Sequence, residues 1–186
     1  EHFQMSIKEL ALQGKHNIYN SMASGIVSKV LELRNESMRE SMGNFKNIEH
    51  RLESVGKISG ISFINDSKAT NVNSTWYALE SMTTDVVLIL GGVDKGNDYS
   101  MLKQLVKQKV KAIVCMGIDN SKIHQAFEGK VASIVDTASA TEAVNAAFRL
   151  ATVGDVVLLS PACASFDLFK NYEDRGLQFK EAVKNL

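Results

Sequence analysis

Proline occurs once in these 186 residues, at Pro161, and cysteine twice, at Cys115 and Cys163. Two thiols in apolar or small-residue surroundings make no disulfide framework, and buried reduced thiols are the plain reading. Net charge is missing as well: 21 lysines and arginines balance 21 aspartates and glutamates. A chain without a basic excess is not a non-specific nucleic-acid binder, so any anion it takes must be recognised locally. No apolar run approaches the roughly 20 residues that span a bilayer. The first residues lack the basic-then-apolar layout of a signal peptide, so a cytoplasmic location without membrane insertion is expected; a monomer is expected too, although nothing in the sequence gives the oligomeric state. The four histidines, His2, His16, His50 and His124, show no metal-ligand spacing, and no structural zinc site is expected from them.

What is present is ordinary for a globular protein, with 45% hydrophobic and 23% charged residues. The length suits one full domain and part of a second. From Ile61 onward, "ISFIN", "DVVLILGG", "KAIVCMG", "ASIVD" and "DVVLLS" recur between segments of helical spacing. Apolar strands alternating with amphipathic helices predict an α/β fold, a doubly wound and mostly parallel sheet covered on both faces. "RLESVGKISG" adds an edge strand, antiparallel because a glycine turn joins it to "ISFIN". Helices are predicted over Thr75 to Met82 behind Asn73 or Ser74, Tyr99 to Lys107 behind Asp98, Ser121 to Phe127 behind Asp119 or Asn120, Thr141 to Ala151 behind Ser139, and Leu168 to Leu186.

Residues 1–47 differ from 48–186. They offer a strand-like "FQMSIKELAL", a glycine turn at Gly14, and helices from Asn17 to Leu33 and from Glu36 to Met42, ending at Gly43. One strand and two helices cannot bury a core of their own. With no initiator methionine, the chain reads as entered inside a preceding domain that ends between Phe45 and His50.

Three polar clusters fall on the carboxyl ends of parallel strands, where loop amides and helix N-termini converge on ligands. In "NDSKATN", Asp66 and Lys68 could pair while Thr70 and Asn71 cap a helix. Alternatively, Asp66 accepts bonds from a ligand hydroxyl pair, and Lys68 and Thr70 donate to a carboxylate or phosphate. "GGVDKGND" brings paired glycines and Lys95, which is either solvated or a ligand contact. It is neither a GxGxxG fingerprint nor a P-loop, so a dinucleotide site is not expected. In "SPACASFD", Ser165 opens the last helix, either as an N-cap or as a carboxylate site with free amides from Phe166 onward. No Gly-x-Ser-x-Gly elbow makes it a nucleophile. Asn17 and Asn20 share a face in "KHNIYN", and Arg51 in "HRLE" stands at the domain junction, where it reaches a nucleotide or pairs with Glu49 or Glu53.

Taken in order, "GKHNIYN", "HRLE", "INDSKATN", "LGGVDKGND" and "LLSPACASFDLFKNYEDRG" resemble the Mur ligase family over nearly the whole chain. "NDSKATN" and "SPACASFD" are similar to its D-glutamate-adding branch. The resemblance implies an ATP-dependent ligase of peptidoglycan synthesis, with the end of a central ATPase domain in 1–47 and a Rossmann-like amino-acid-binding domain in 48–186. In that family ATP phosphorylates the substrate carboxylate, here by implication that of UDP-N-acetylmuramoyl-L-alanine, and the D-glutamate amine attacks the acyl phosphate and expels phosphate. Lys68 and Lys95 are the implied catalytic residues. Lys68, Thr70, Lys95, Ser165 and amides near Phe166 and Tyr172 would hold D-glutamate, with Tyr172 standing where the family commonly has phenylalanine. Asn17, Asn20, Arg51 and Asp66 would face ATP, and Mg²⁺ would be bound mainly by residues upstream of this chain. Two rivals stand beside this reading. One is a ligase of the folylpolyglutamate synthase type, and the other a non-catalytic Rossmann-like module that binds an amino acid or nucleotide.

Overall fold

A computed structural model describes residues 2–11, 15–45 and 48–186, without the side chains of Lys15 and His16. The chain divides into two compact units, Glu1–Ile48 and Glu49–Leu186.

In the first unit, α1 (Lys15–Val30) and α2 (Asn35–Asn44) follow a 3-10 turn at Ile7–Glu9. That turn replaces the strand expected over "FQMSIKELAL". Ser6 accepts from the Lys8 amide while Glu9 accepts from the Ser6 amide, and this reciprocal cap closes the backbone on itself. The expected turn at Gly14 lies outside the described residues. α2 runs one residue beyond the stop predicted at Gly43. Among the described residues of this unit, Met38 is the only buried apolar side chain, whereas Tyr19, Met22, Ile26, Val27 and Val30 are exposed.

The second unit is built on a six-stranded sheet of order β1-β2-β6-β3-β4-β5. The strands are β1 (Glu53–Ile58), β2 (Ile61–Asn65), β3 (Val86–Leu90), β4 (Val110–Met116), β5 (Ser133–Thr137) and β6 (Val156–Leu159). β1 pairs antiparallel with β2, and every other pair is parallel, as predicted. The hairpin turns on Ser59 and Gly60, with φ of 48° and 81°, and Ile58 faces Ile61 across it. Positive φ at both positions matches the twist of the strands, and glycine takes it without strain.

Alternation along the strands divides the core in two. Phe63, Val87, Ile89, Val114, Met116, Val157 and Leu159 pack toward α6 (Ala140–Leu150) and α7 (Tyr172–Lys184). Val86, Leu88, Leu90, Ile113, Cys115 and Leu158 pack toward α3 (Val72–Ser81), α4 (Lys103–Lys109) and α5 (Ser121–Phe127). Each such side chain stabilises the fold by roughly 1.5–3 kcal/mol.

α5 and α6 begin within a residue of their predicted starts, and Ser139 caps α6 by accepting from the Glu142 amide. Three starts differ. α3 begins at Val72 because Asn71, in extended conformation, caps it from the Ser74 amide. α4 is preceded by a 3-10 turn at Ser100–Leu102, where Asp98 takes both the Ser100 amide and hydroxyl. α7 starts at Tyr172 rather than Leu168, since Asn171 caps it by accepting from the Asp174 amide at 2.7 Å. No helix among the described residues is long and apolar enough to cross a membrane.

Candidate functional site

The sheet order makes β2, β6 and β3 consecutive neighbours. The three polar clusters at their carboxyl ends therefore stand side by side, although 19 residues separate the first from the second and 61 the second from the third along the chain.

The β3 and β6 loops are laced by backbone. Val93 and Ala164 form an antiparallel bridge, with amide-to-carbonyl distances of 2.8 and 3.2 Å, and the Gly91 amide donates to Pro161 O. Gly92 must be glycine here: its φ is 127°, and a Cβ would fall 2.1 Å from Ala164 O. Side chains add to the lacing. Tyr99 donates from its hydroxyl to Asp94 Oδ2 at 3.0 Å and lies 3.3 Å from Cys163 Sγ. Asn97 Nδ2 donates to Ala162 O. Asp94 Oδ1 accepts from the Gly96 and Asn97 amides and from Lys122 Nζ. Partial burial works against its charge, but these bonds hold the Asp94 carboxyl below its usual range. Lys95 is exposed at the tip of this braced turn.

The β2 loop is tied in by Arg175, which is wholly buried. Its Nε donates to Ser67 Oγ and its Nη2 to Ser67 O, while Nη1 and Nη2 both reach Cys163 O at 3.2 Å. Burial among these neutral oxygens pushes the guanidinium down to about 10. Ser67 Oγ in turn donates to Tyr172 O, and its amide donates to Asn65 Oδ1. Beneath lies His50, whose Nδ1 is 2.9 Å from Asn65 Nδ2 and so acts as acceptor. The ring needs Gly176: a Cβ there would stand 2.2 Å from Nδ1.

Asp66 is buried, with Oδ1 accepting from the Leu52 amide and Oδ2 from Ser160 Oγ at 2.8 Å. Burial raises its carboxyl to about 7, against the lowering effect of Ser160, the Leu52 amide and Arg51. Lys68 does not turn back to Asp66. Its Nζ donates to the Tyr172 hydroxyl at 3.2 Å and stands 5.1 Å from that ring's centre. Thr70 is half-buried immediately before the α3 cap.

Ser165 is buried, but it does not open the last helix as expected. It starts a single turn, with the Phe169 amide donating to Ser165 O, and Asp167 Oδ2 fastens that turn to the β4 end by accepting from the Ile118 amide. Phe166 is 68% exposed. Within the second unit Lys68, Thr70, Lys95, Ser165 and Phe166 lie on three adjoining loops, Tyr172 opens α7 beside Lys68, and Arg51 and Asp66 stand at the β1–β2 side. Asn17 and Asn20 belong to the first unit, where Asn17 is the third residue of α1. Sequence reading missed Arg175, Asp94, Asn97, Tyr99 and Ser160, and took His50 only for a histidine without metal spacing.

Comparison with known proteins matches residues 50–163 to the family described as Mur ligase, glutamate ligase domain. The UDP-N-acetylmuramoylalanine--D-glutamate ligase of Christiangramia forsetii is 62% identical over 99% of the chain and 41% of its own length. Those of Porphyromonas gingivalis and Bacteroides thetaiotaomicron are 56% and 54% identical. The chain thus spans about two fifths of these curated relatives. Among solved structures, the UDP-N-acetylmuramate-alanine ligase of Thermotoga maritima aligns with a TM-score of 0.68 at 14% identity, over 95% of this chain and 39% of that one. The folylpolyglutamate synthase of the same organism reaches 0.60 at 16% identity, over 95% and 41%. At such identities the likeness is one of fold.

Proposed function

The chain belongs to the Mur ligase family, and on that footing we propose that it is the amino-acid-receiving part of an ATP-dependent ligase. The ligase joins D-glutamate to UDP-N-acetylmuramoyl-L-alanine in peptidoglycan synthesis, as a cytoplasmic monomer. One observation carries the reading: loops on three adjacent strand ends present Lys68, Thr70, Lys95 and Ser165, donors suited to the two carboxylates of one glutamate. The 62% identity to a ligase named for D-glutamate supports D-glutamate as that amino acid.

In this proposal Lys95 and Thr70 hold the α-carboxylate, and Lys68 adds positive charge. Ser165, with backbone amides near Phe166 and Tyr172, holds the side-chain carboxylate. Charge-assisted hydrogen bonds to fixed loops orient the glutamate amine, which is where binding is converted into rate. Residues 1–47 would be the end of the ATP-binding domain, with Asn17 and Asn20 toward the adenine. The Asp66 environment fits a ribose, since a carboxylate offers about four lone-pair sites and ligand hydroxyls can join Leu52 and Ser160 as donors. Arg51 would face the phosphates. When bound with Mg²⁺, ATP supplies the phosphoryl group that activates the acyl carboxylate.

Amide spectra recorded while D- and L-glutamate are titrated into the protein test the reading. Shifts at Lys68, Lys95 and Ser165 with D-glutamate, and weaker ones with the L form, are expected. Equal shifts, or none on these loops, would overturn it.

A further inference from the structure

Beyond β3, the β4-α5-β5 unit brings together three side chains that the ligase reading does not use. We infer that Cys115, His124 and Asp136 form a binding site for a single zinc-like divalent cation. The inference does not depend on the proposed function.

The geometry follows from topology. Cys115 and Asp136 are register partners on parallel strands, so their side chains leave the same face of the sheet. α5 covers that face, with Ile123 and Phe127 packed in the same apolar cluster as Cys115. His124, next to Ile123, sends Nε2 to within 3.1 and 3.0 Å of the two Asp136 oxygens. The sulfur, the imidazole nitrogen and a carboxylate oxygen all lie within 4.8 Å of one another. Donors around one zinc, at roughly 2.0–2.3 Å from the ion, stand only slightly closer.

Access and charge also suit an ion. Cys115 is wholly buried, His124 partly exposed and Asp136 exposed, so the donors rise from the core to the wall of an open cleft of about 560 Å³. Asn120 lines the same cleft and donates from Nδ2 to Asp136 Oδ1, while its Oδ1 is buried without a hydrogen-bond partner. One thiolate and one carboxylate neutralise a divalent ion, and binding exchanges the thiol proton for the metal. Sulfur with imidazole selects zinc over magnesium or calcium. The other comparable cluster, Glu49, His50 and Glu53, already holds a cation: Lys180 Nζ lies 2.7 Å from both glutamates.

Cobalt titration of untagged protein, followed by zinc competition, tests the site. One Co²⁺ per chain is expected, with a thiolate-to-cobalt charge-transfer band that stoichiometric Zn²⁺ abolishes. His124→Ala, a change at a partly exposed position, should weaken zinc by about 10-fold or more, and Cys115→Ser should remove the band. Circular dichroism establishes that each variant is folded, and if Cys115→Ser is not, His124→Ala decides. Cobalt bound without the band, or zinc affinity unchanged in folded His124→Ala, would overturn the inference.

Discussion

Arg175 and Ser67 are joined twice, Nε to Oγ at 3.0 Å and Nη2 to the carbonyl at 2.8 Å, across 108 positions of sequence. The same guanidinium holds Cys163 O, so one buried cation fastens the β2 loop to the β6 loop. Arg175→Met fills similar space but leaves these oxygens without donors. A loss of about 3 kcal/mol is expected in urea denaturation, together with weaker D-glutamate shifts on both loops.

Gly176→Ala places a methyl where the His50 ring stands. Overpacking of this kind costs roughly 1–3 kcal/mol. His50→Ala should relieve the clash, so the double variant will be more stable than the sum of the single changes predicts. A thermal double-mutant cycle measures the coupling.

Asp66 sets a pH dependence. Its carboxyl is raised from 3.8 to about 7 by burial, so between those values the folded protein keeps a proton that the unfolded chain has lost. The folded state then binds more protons, and stability falls as pH rises from about 4 to about 7, by a few kcal/mol in order of magnitude. Asp66→Asn should flatten that part of the profile. Chemical denaturation at half-unit pH steps checks it, and equal slopes in both proteins would refute the assignment.

Lys95→Ala removes an exposed charge from a turn that Asp94 braces independently. The fold should be untouched while D-glutamate binding weakens by about 1.5–3 kcal/mol, the scale of a hydrogen bond to a charged group. Tyr172→Phe loses the hydroxyl that Lys68 contacts but keeps the ring beneath it. Its effect on binding should stay below about 1 kcal/mol if the backbone amide is the contact.

Periodicity made the sheet legible: fully apolar runs such as Val86 to Leu90 are buried on both faces, and Ser139 marked the start of α6. It misled at "FQMSIKELAL", where alternation without a paired strand gave way to the local cap between Ser6 and Glu9. Ser165 does not open α7 because it starts a separate turn, closed by the Phe169 amide, and Asn171 caps the helix. The polar clusters could be read as short stretches, but the parts that join them could not. Tyr99 and Cys163 meet across 64 residues, and Asn65 and Gly176 across 111, and no spacing rule connects such positions. Cys115 and Asp136 likewise belong together only because β4 and β5 are neighbours.

The bridge between Val93 and Ala164 bears on stereochemistry. A surface can distinguish mirror-image molecules only if it offers three attachment points whose mutual positions are settled beforehand. Two of the loops are stitched into one body by that bridge, and Arg175 pins the third to it. Handedness would then be judged by a rigid tripod formed before the amino acid arrives, and loosening any one leg would blur D from L before it abolished binding.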